Sequence, residues 1–185
     1  MSARLTPSRQ RGMVVVPAVA VLVAALSGCG GDESRRDYAI PENLCGIAVD
    51  ADDLGQFLPD GEDVTEREKS GGGTKVCEVV VDDKLALRAT QAWVEEGKTT
   101  AYFASSQSLE APEQSADDER FRYSGNEAFG KTGGCVDERN GQELYTAVQA
   151  QGSEHSDADA MRRLITAYTS QVEASASCGA SATDW

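Results

Sequence analysis

The feature that most constrains the fold is a set of four cysteines in a segment poor in large apolar residues: Cys45, Cys77, Cys135 and Cys178. From residue 29 onward, Leu, Ile, Val and Phe account for 25 of 157 residues, and 31 acidic against 14 basic side chains give a net charge of −17. This composition is close to that of disordered chains, so cross-links would help to support a thin core. Alanine, tyrosine and tryptophan add apolar surface, and the sequence predicts one modest folded domain.

The first 28 residues differ in composition from the rest of the chain. Arg4, Arg9 and Arg11 precede an apolar run over residues 13–26. As a helix this run would be about 21 Å long, which is short of the ~30 Å hydrocarbon core of a bilayer. A basic start, a short apolar middle and small residues after it are typical of a secretory signal, so residues 1–28 are predicted to be a signal peptide.

The end of this leader, Leu26-Ser27-Gly28-Cys29, resembles the lipobox of bacterial lipoprotein precursors, which reads Leu, a small residue, Gly or Ala, and then Cys. The resemblance implies that the Cys29 thiol receives diacylglycerol and that the signal is removed just before it. The protein would then be held by lipid on the extracytoplasmic face of the cell membrane, without a spanning helix. Residues 29–37 are predicted to be a flexible tether, and residues 38–185 a single domain.

With Cys29 assigned to lipid, an even number of cysteines remains, which in an exported chain predicts disulfides. Three pairings are possible, and the sequence alone does not select one. We favour Cys45–Cys77 and Cys135–Cys178, because sequential pairing staples each half of the domain. Zinc ligation and a redox pair are the alternatives, but the chain contains no C-x-x-C motif.

The first half of the domain contains one predicted helix and one predicted hairpin. Residues 51–58 follow Asp50 as a short capped helix. Residues 60–75 are charged and then glycine-rich, which predicts a loop. β-branched and alternating apolar residues on either side of Asp82-Asp83 predict a hairpin over 76–93.

The second half begins with an ambiguous segment, since residues 98–109 are compatible with a helix or a strand. Residues 110–120 are acidic and lack core residues, which predicts a mobile loop. A second hairpin is predicted over 135–148, with Asn140-Gly141 in a type I′ turn. A final helix is predicted from a cap at Ser156 or Asp157 to about residue 176, with one apolar face: Met161, Leu164, Ile165, Tyr168 and Val172.

These elements predict an α+β fold, in which a single antiparallel sheet has one or two helices packed on one face and is stapled by disulfides. The layout is also similar to that of small uncharacterised actinobacterial lipoproteins. The similarity rests on the lipobox, an early Leu-Cys-Gly at residues 44–46, a mid-chain cysteine that opens a strand, and a late helix that runs into Cys178. It implies location and architecture, and it implies no catalytic motif.

Few residues suggest chemistry. His155 lies beside serine and acidic residues, but catalytic triads assemble from distant segments, and we interpret it as a solvated residue before the last helix. Acidic clusters at 50–53, 60–63 and 117–119 do not continue as an EF-hand loop, so solvated loops are the simpler interpretation. The single histidine cannot supply a multi-histidine metal site, and we predict no metal and no cofactor.

Two further features were weighed as parts of a site. The glycines of Gly71-Gly72-Gly73 lack the lysine and serine that follow in a phosphate-binding loop, and they are interpreted as a linker. Trp93 and Tyr102, on either side of residues 95–97, would be suited to line a groove, although core and rim positions are commoner for such residues.

Composition and motifs together favour a non-enzymatic binding or accessory domain at the cell envelope, with an unknown protein or envelope ligand as partner. The net charge of −17 argues against nucleic-acid binding, which normally needs a basic surface. The alternatives are a carboxylate-dependent envelope hydrolase, which would need acids with raised pKa in an apolar cleft, and a small solute carrier, which would need a deep apolar pocket.

Overall fold

The computed structural model describes residues 36–108, 110–152 and 155–185. In chain order its helices and strands are β1 (Asn43–Leu44), β2 (Ile47–Ala48), α1 (Ala51–Gly55), β3 (Val64–Gly71), β4 (Thr74–Val81), β5 (Lys84–Glu95), α2 (Thr100–Gln107), β6 (Gln114–Ala116), β7 (Phe121–Tyr123), β8 (Glu127–Asp137), β9 (Gln142–Ala150) and α3 (Ala158–Ala174). The predicted signal peptide, Cys29 and the tether up to residue 35 lie outside the described residues.

Seven strands form one antiparallel sheet in the order β3-β4-β5-β9-β8-β7-β6, and β1 pairs with β2 in a separate small hairpin. At the centre of the sheet, β5 pairs with β9 from Leu87 opposite Ala150 to Glu95 opposite Gln142. The edge strands are β3 and β6. The connection between β4 and β5 is short, and Asp82 and Asp83 in it have positive φ and form the predicted turn.

The last helix covers one face of the sheet, which we call the inner face. The Asp157 side chain caps α3 by accepting a hydrogen bond from the Ala160 backbone N–H at 2.9 Å. The apolar stripe predicted from the sequence is buried against β8, β9 and β7: Met161, Leu164, Ile165, Tyr168 and Val172. Helix α1 packs beside α3, and the two are joined by an ion pair of 2.9 Å between Arg163 Nε and Asp53 Oδ1. The predicted α+β fold with two helices on one face is confirmed.

Helix α2 lies on the opposite face of the sheet, which we call the outer face. The side chains of β9 alternate, so that Leu144 and Val148 join the core under α3 while Tyr145 and Ala147 pack under α2. Phe103 of α2 makes an edge-to-face contact with Phe129 and a tilted contact with Tyr145, at 5.9 and 5.2 Å between ring centroids. The segment that was ambiguous between helix and strand is therefore a helix that covers part of the outer face.

Two disulfides join the parts of this fold, in the sequential pairing that we favoured from the sequence. Cys45–Cys77 links the turn between β1 and β2 to β4, with a Cα–Cα distance of 5.7 Å. Cys135–Cys178 links β8 to the 3₁₀ turn Ala176–Gly179 that follows α3, with a Cα–Cα distance of 4.7 Å. The second bond fixes the end of α3 to the sheet, as the sequence predicted.

The prediction of a loop over 60–75 is wrong, because this segment contains all of β3 and the start of β4. Residues 65–71 are all exposed, since β3 is an edge strand. Its two faces therefore both carry polar side chains, and the apolar alternation that identifies a half-buried strand is missing. Charged side chains on an edge strand also discourage pairing with another chain. The three glycines are not a linker: Gly71 ends β3, and Gly72 and Gly73 form the β3–β4 turn with positive φ.

Two smaller predictions also need correction. The segment 110–120, predicted as a loop, contains the short edge strand β6, which pairs with β7. The β8–β9 connection is a hairpin as predicted, but the turn is not type I′. It spans residues 138–141, and only Gly141 has positive φ, because the longer loop does not require Asn140 to be left-handed. The carboxylate of Asp137 closes this loop by accepting hydrogen bonds from the backbone of residues 139 and 140.

Removal of the second disulfide should weaken the domain substantially. Replacement of both Cys135 and Cys178 by alanine should lower the free energy of unfolding by about 4 kcal/mol, because the bond closes a 43-residue loop in the unfolded chain. Urea unfolding followed by circular dichroism measures this change. The Cys45/Cys77 double variant serves as comparison, and its shorter 32-residue loop predicts a slightly smaller loss. A loss below about 1 kcal/mol for the first pair would contradict this account.

Candidate functional site

The most promising site is a cleft of about 530 Å³ at one end of the outer face. The start of α2 lines it with Lys98, Thr99 and Thr100, and the β6–β7 turn lines it with Asp118 and Glu119. The floor is the part of β8 around Lys131 and Thr132. We call this site the α2 cleft, and its volume is within the range of small-ligand pockets.

An irregularity in β8 shapes the floor of the α2 cleft. The pairing of β8 with β9 shifts register between Lys131 and Val136, so residues 132–135 leave the regular ladder. Bulges of this kind bend a strand and re-aim its side chains, and they are common next to functional sites. Here the irregular segment carries Thr132 and Gly133 to the cleft, and the Thr132 hydroxyl donates to the Leu144 carbonyl at 2.7 Å.

The central charged group of the cleft is the Lys131 ammonium. It forms an ion pair of 2.6 Å with Glu143 Oε2 of β9, and the ammonium lies 5.6 Å from the centroid of the Tyr145 ring. The same Glu143 oxygen accepts a hydrogen bond of 2.9 Å from the Gly97 backbone N–H, and the Tyr145 hydroxyl donates to the Lys98 carbonyl. This network connects β8, β9 and the loop before α2.

The pKa values in this network are shifted away from neutrality. Burial favours the neutral form of Lys131, but hydrogen bonds to Glu143 and Tyr145 outweigh it and raise the Lys131 pKa. Burial likewise disfavours the charged form of Glu143, but hydrogen bonds from Lys131 and from the Gly97 backbone lower its pKa. Burial raises the pKa of Tyr145. At neutral pH the pair is therefore held as ammonium and carboxylate, with a neutral phenol beside it.

A second ion pair supports the floor from the inner face. Arg120 bonds to Glu173 near the end of α3, and Arg120 Nε donates to the Lys131 carbonyl at 2.9 Å. The Glu173 carboxylate also accepts from the Gly133 backbone N–H at 2.6 Å. The ion pair thus fixes the main chain on both sides of Thr132, because Arg120 bonds to Lys131 and Glu173 bonds to Gly133. One carboxylate satisfies both the guanidinium and a backbone donor.

The start of α2 forms the remaining wall. The Thr99 hydroxyl oxygen caps the helix by accepting from the Tyr102 backbone N–H at 3.1 Å. Lys98 Nζ forms an ion pair of 3.0 Å with Glu95, which raises the pKa of the lysine, and it lies 5.1 Å from the centroid of the Tyr102 ring. Tyr102 itself is 52% exposed.

The β6–β7 turn, which also lines the cleft, has an unusual backbone. Asp117, Asp118 and Glu119 all have positive φ, between 51° and 66°, although none is glycine. Aspartate tolerates this conformation better than most residues, but three in succession are costly. The turn is held by a backbone hydrogen bond of 2.9 Å from the Arg120 N–H to the Asp117 carbonyl and by an ion pair of 2.8 Å between Glu119 and Arg122.

Most residues that the sequence singled out lie away from the α2 cleft. Cys29, which is predicted to carry the lipid, lies outside the described residues. His155 is exposed just before α3, as interpreted from the sequence. Trp93 is buried in the core and does not line a groove, whereas Tyr102 lies on the surface near the cleft. Cys45, Glu66 and Cys77 cluster closely enough to suggest a metal site, but both thiols belong to one disulfide.

The acidic clusters have mainly structural roles. Asp50 caps α1 by accepting from the backbone of residues 52 and 53, and Asp53 pairs with Arg163 of α3. The cluster at 60–63 is exposed, and the backbone N–H groups of Glu62 and Asp63 donate to the Asp82 carboxylate. The third cluster, at 117–119, contributes Asp118 and Glu119 to the α2 cleft, which the sequence did not indicate.

Two other clefts flank the C-terminal segment. One, of about 510 Å³, lies between the β8–β9 turn and residues 179–184, where the Asp137 carboxylate ties the turn to Asn140 and to the Ala182 backbone. The other, of about 380 Å³, lies beside Cys45 and Trp185. The groups that line them serve loop closure and packing, so the α2 cleft is the better candidate for ligand binding.

The charged pairs that build the site could not be predicted from the sequence. Lys131 pairs with Glu143 and Arg120 with Glu173 across 12 and 53 residues of chain, so no local motif links them. The sequence contains one signal for Glu143. Glu143, Tyr145 and Ala147 lie at every second position of the second predicted hairpin, and a charged residue at the end of such a row of buried side chains marks the edge of a core.

A comparison with protein-family models, curated proteins and solved structures finds no match for this chain. Over the residues that the structure describes, none of the helices is both long enough and apolar enough to cross a membrane.

The Lys131–Glu143 pair should make stability depend on pH in a specific way. Because the Glu143 pKa is lowered on folding, its contribution is present above the pKa of an unfolded glutamate, about 4.3, and is lost as the pH falls through the lowered value. Glu143→Gln should reduce the free energy of unfolding at pH 7 by about 2 kcal/mol and flatten its fall on acidification. Urea unfolding at a series of pH values measures both effects.

Exposed Glu138→Gln is the matched control and should leave the curve unchanged. The double variant Lys131→Met/Glu143→Gln should recover part of the loss, because it leaves no half-buried charge without a partner. Equal curves for Glu143→Gln and Glu138→Gln would refute the assignment.

Proposed function

We propose that this protein is a lipid-anchored extracytoplasmic domain that binds a ligand or partner at the cell envelope and does not act as an enzyme. Cys29 would carry the lipid, residues 1–28 would be removed, and the α2 cleft would be the binding site. The lipid on Cys29 would hold the protein to the membrane, and the folded domain would bind the unknown protein or envelope ligand.

The observation that carries the location is the pair of disulfides, Cys45–Cys77 and Cys135–Cys178. Structural disulfides persist in oxidising compartments such as the cell exterior and are rare in the cytosol. They agree with a leader that has a basic start, a short apolar run and a lipobox, and every cysteine after Cys29 is used in a cross-link. The inference to a lipid on Cys29 rests on Leu26-Ser27-Gly28-Cys29.

The charge states of the α2 cleft favour binding over acid–base catalysis. A general acid or base works best with a pKa near the operating pH, but the pKa of Lys131 is raised and that of Glu143 is lowered. A carboxylate-dependent hydrolase would need an acid whose pKa is raised. Glu143, the half-buried acid beside the cleft, instead has a lowered pKa, because Lys131 and the Gly97 backbone bond to its carboxylate. The charged lining of the cleft also disfavours an apolar carrier site.

The anchor is tested by substitution of the lipobox cysteine in a bacterium that processes lipoproteins. With Cys29→Ala, we expect the protein to appear in the medium or to remain as an uncleaved precursor, because no thiol is present to accept the lipid. Ser27→Ala is the matched control, since alanine is also small, and it should stay membrane-bound and trimmed. Fractionation and intact mass measure both. Membrane retention of a correctly trimmed Cys29→Ala protein would refute the anchor.

A further inference from the structure

An exposed aromatic ring at the rim of the α2 cleft gives information about the ligand. Tyr102 and Val136 are the two large apolar side chains that are exposed in the described part of the chain, and the Tyr102 ring is 52% exposed. Lys98, which lines the cleft, lies 5.1 Å from the centroid of this ring. The ring therefore stands beside the cleft with much of its apolar surface in solvent, rather than in the core with Phe103.

Most of the charges around the cleft are arranged in pairs, and the exposed carboxylate of Asp118 lies outside them. Lys131 is paired with Glu143, Arg120 with Glu173, Lys98 with Glu95, and Glu119 with Arg122. An anionic ligand would have to replace one of the paired carboxylates, and it would also approach a chain whose net charge from residue 29 onward is −17. The cleft is therefore poorly suited to an anion, and the hydrogen-bonding groups of its lining decide what else it can bind.

The walls of the cleft still offer hydrogen-bonding groups of both kinds. The Lys98 ammonium has three N–H donors and uses one for Glu95, and the Thr99 hydroxyl can donate while its oxygen caps α2. On the β6–β7 turn, the exposed carboxylate of Asp118 can accept. A ligand whose groups both donate and accept, such as a row of hydroxyls, matches this mixed set of donors and acceptors.

We propose that the α2 cleft binds a neutral saccharide chain of the cell envelope, with Tyr102 as the platform for one sugar ring. The C–H face of a sugar packs on an aromatic ring, while its hydroxyls bond to the polar groups of the cleft. This inference rests on the proposed function, since it names the class of envelope ligand for the same site. Tyr102 would determine specificity by selecting ligands that have a sugar ring to pack on it.

The test uses the full-length protein in a detergent without a sugar headgroup. Uncharged tetrasaccharides of N-acetylglucosamine, glucose and mannose are titrated into it by isothermal calorimetry. We expect at least one to bind. Tyr102→Ala should weaken that binding by about fivefold to tenfold through loss of the stacked ring, and Tyr102→Phe, which keeps the ring, should remain within about twofold. Val136→Ala is the matched control, since it shortens the other exposed apolar side chain, and it should bind as the wild type does.

Salt dependence separates a neutral ligand from an ionic one. Binding of an uncharged saccharide should change by less than about twofold between low and high salt, because only charged partners are screened. Failure of all three tetrasaccharides to bind, or equal binding by Tyr102→Ala and wild type, would overturn the inference. Neither result would change the fractionation of Cys29→Ala, so failure of the saccharide proposal is distinguishable from failure of the anchor.

Discussion

The pairing of β5 with β9 at the centre of the sheet is the contact on which the rest of the structure depends. The central part of strand β9 is buried on both faces, so its side chains contribute to two cores: Leu144 and Val148 under α3, Tyr145 and Ala147 under α2. A shift of register by one residue would exchange the two faces and disrupt both cores. The same register sets Glu143 opposite Val94 at the end of the strand, where its carboxylate meets Lys131 and builds the α2 cleft.

The two disulfides stabilise the segments of the domain that the β5–β9 pairing does not hold in place. The large apolar residues are few, and the segments before β3 and after α3 contribute only short elements. Cys45–Cys77 ties the first of these segments to β4, and Cys135–Cys178 ties the second to β8 next to its irregular stretch. The second bond therefore also restrains the floor of the cleft, because Thr132 and Gly133 lie between it and Lys131. The segment from Lys131 to Cys135 therefore contains both the floor of the cleft and one end of a disulfide.

Much of the fold could be predicted from the sequence, because its main elements have clear periodicity. The stripe of α3 and the alternation around Asp82-Asp83 both result from burial on one side, and both are confirmed. Strand β3 was missed because an exposed edge has no buried side, and its residues then look like a loop. The cleft was missed for a different reason. Its ion pairs join residues such as Arg120 and Glu173 that only the folded topology brings together, and their charges look solvated in the sequence.

Most charges at the α2 cleft are paired, whereas the excess acidic charge lies elsewhere on the surface, and this difference affects which ligands can bind. Charges within a few ångströms neutralise one another, whereas the excess acid is spread over the rest of the surface and is screened over about 8 Å at physiological salt. A ligand in the α2 cleft therefore meets hydrogen-bonding groups without a strong net field, while ions at a distance meet a negative protein. Such a surface repels acidic polymers and anionic headgroups, whereas neutral hydroxylated chains approach it without an electrostatic penalty. The geometry of Lys98, Tyr102 and Asp118 then decides which of those chains fit.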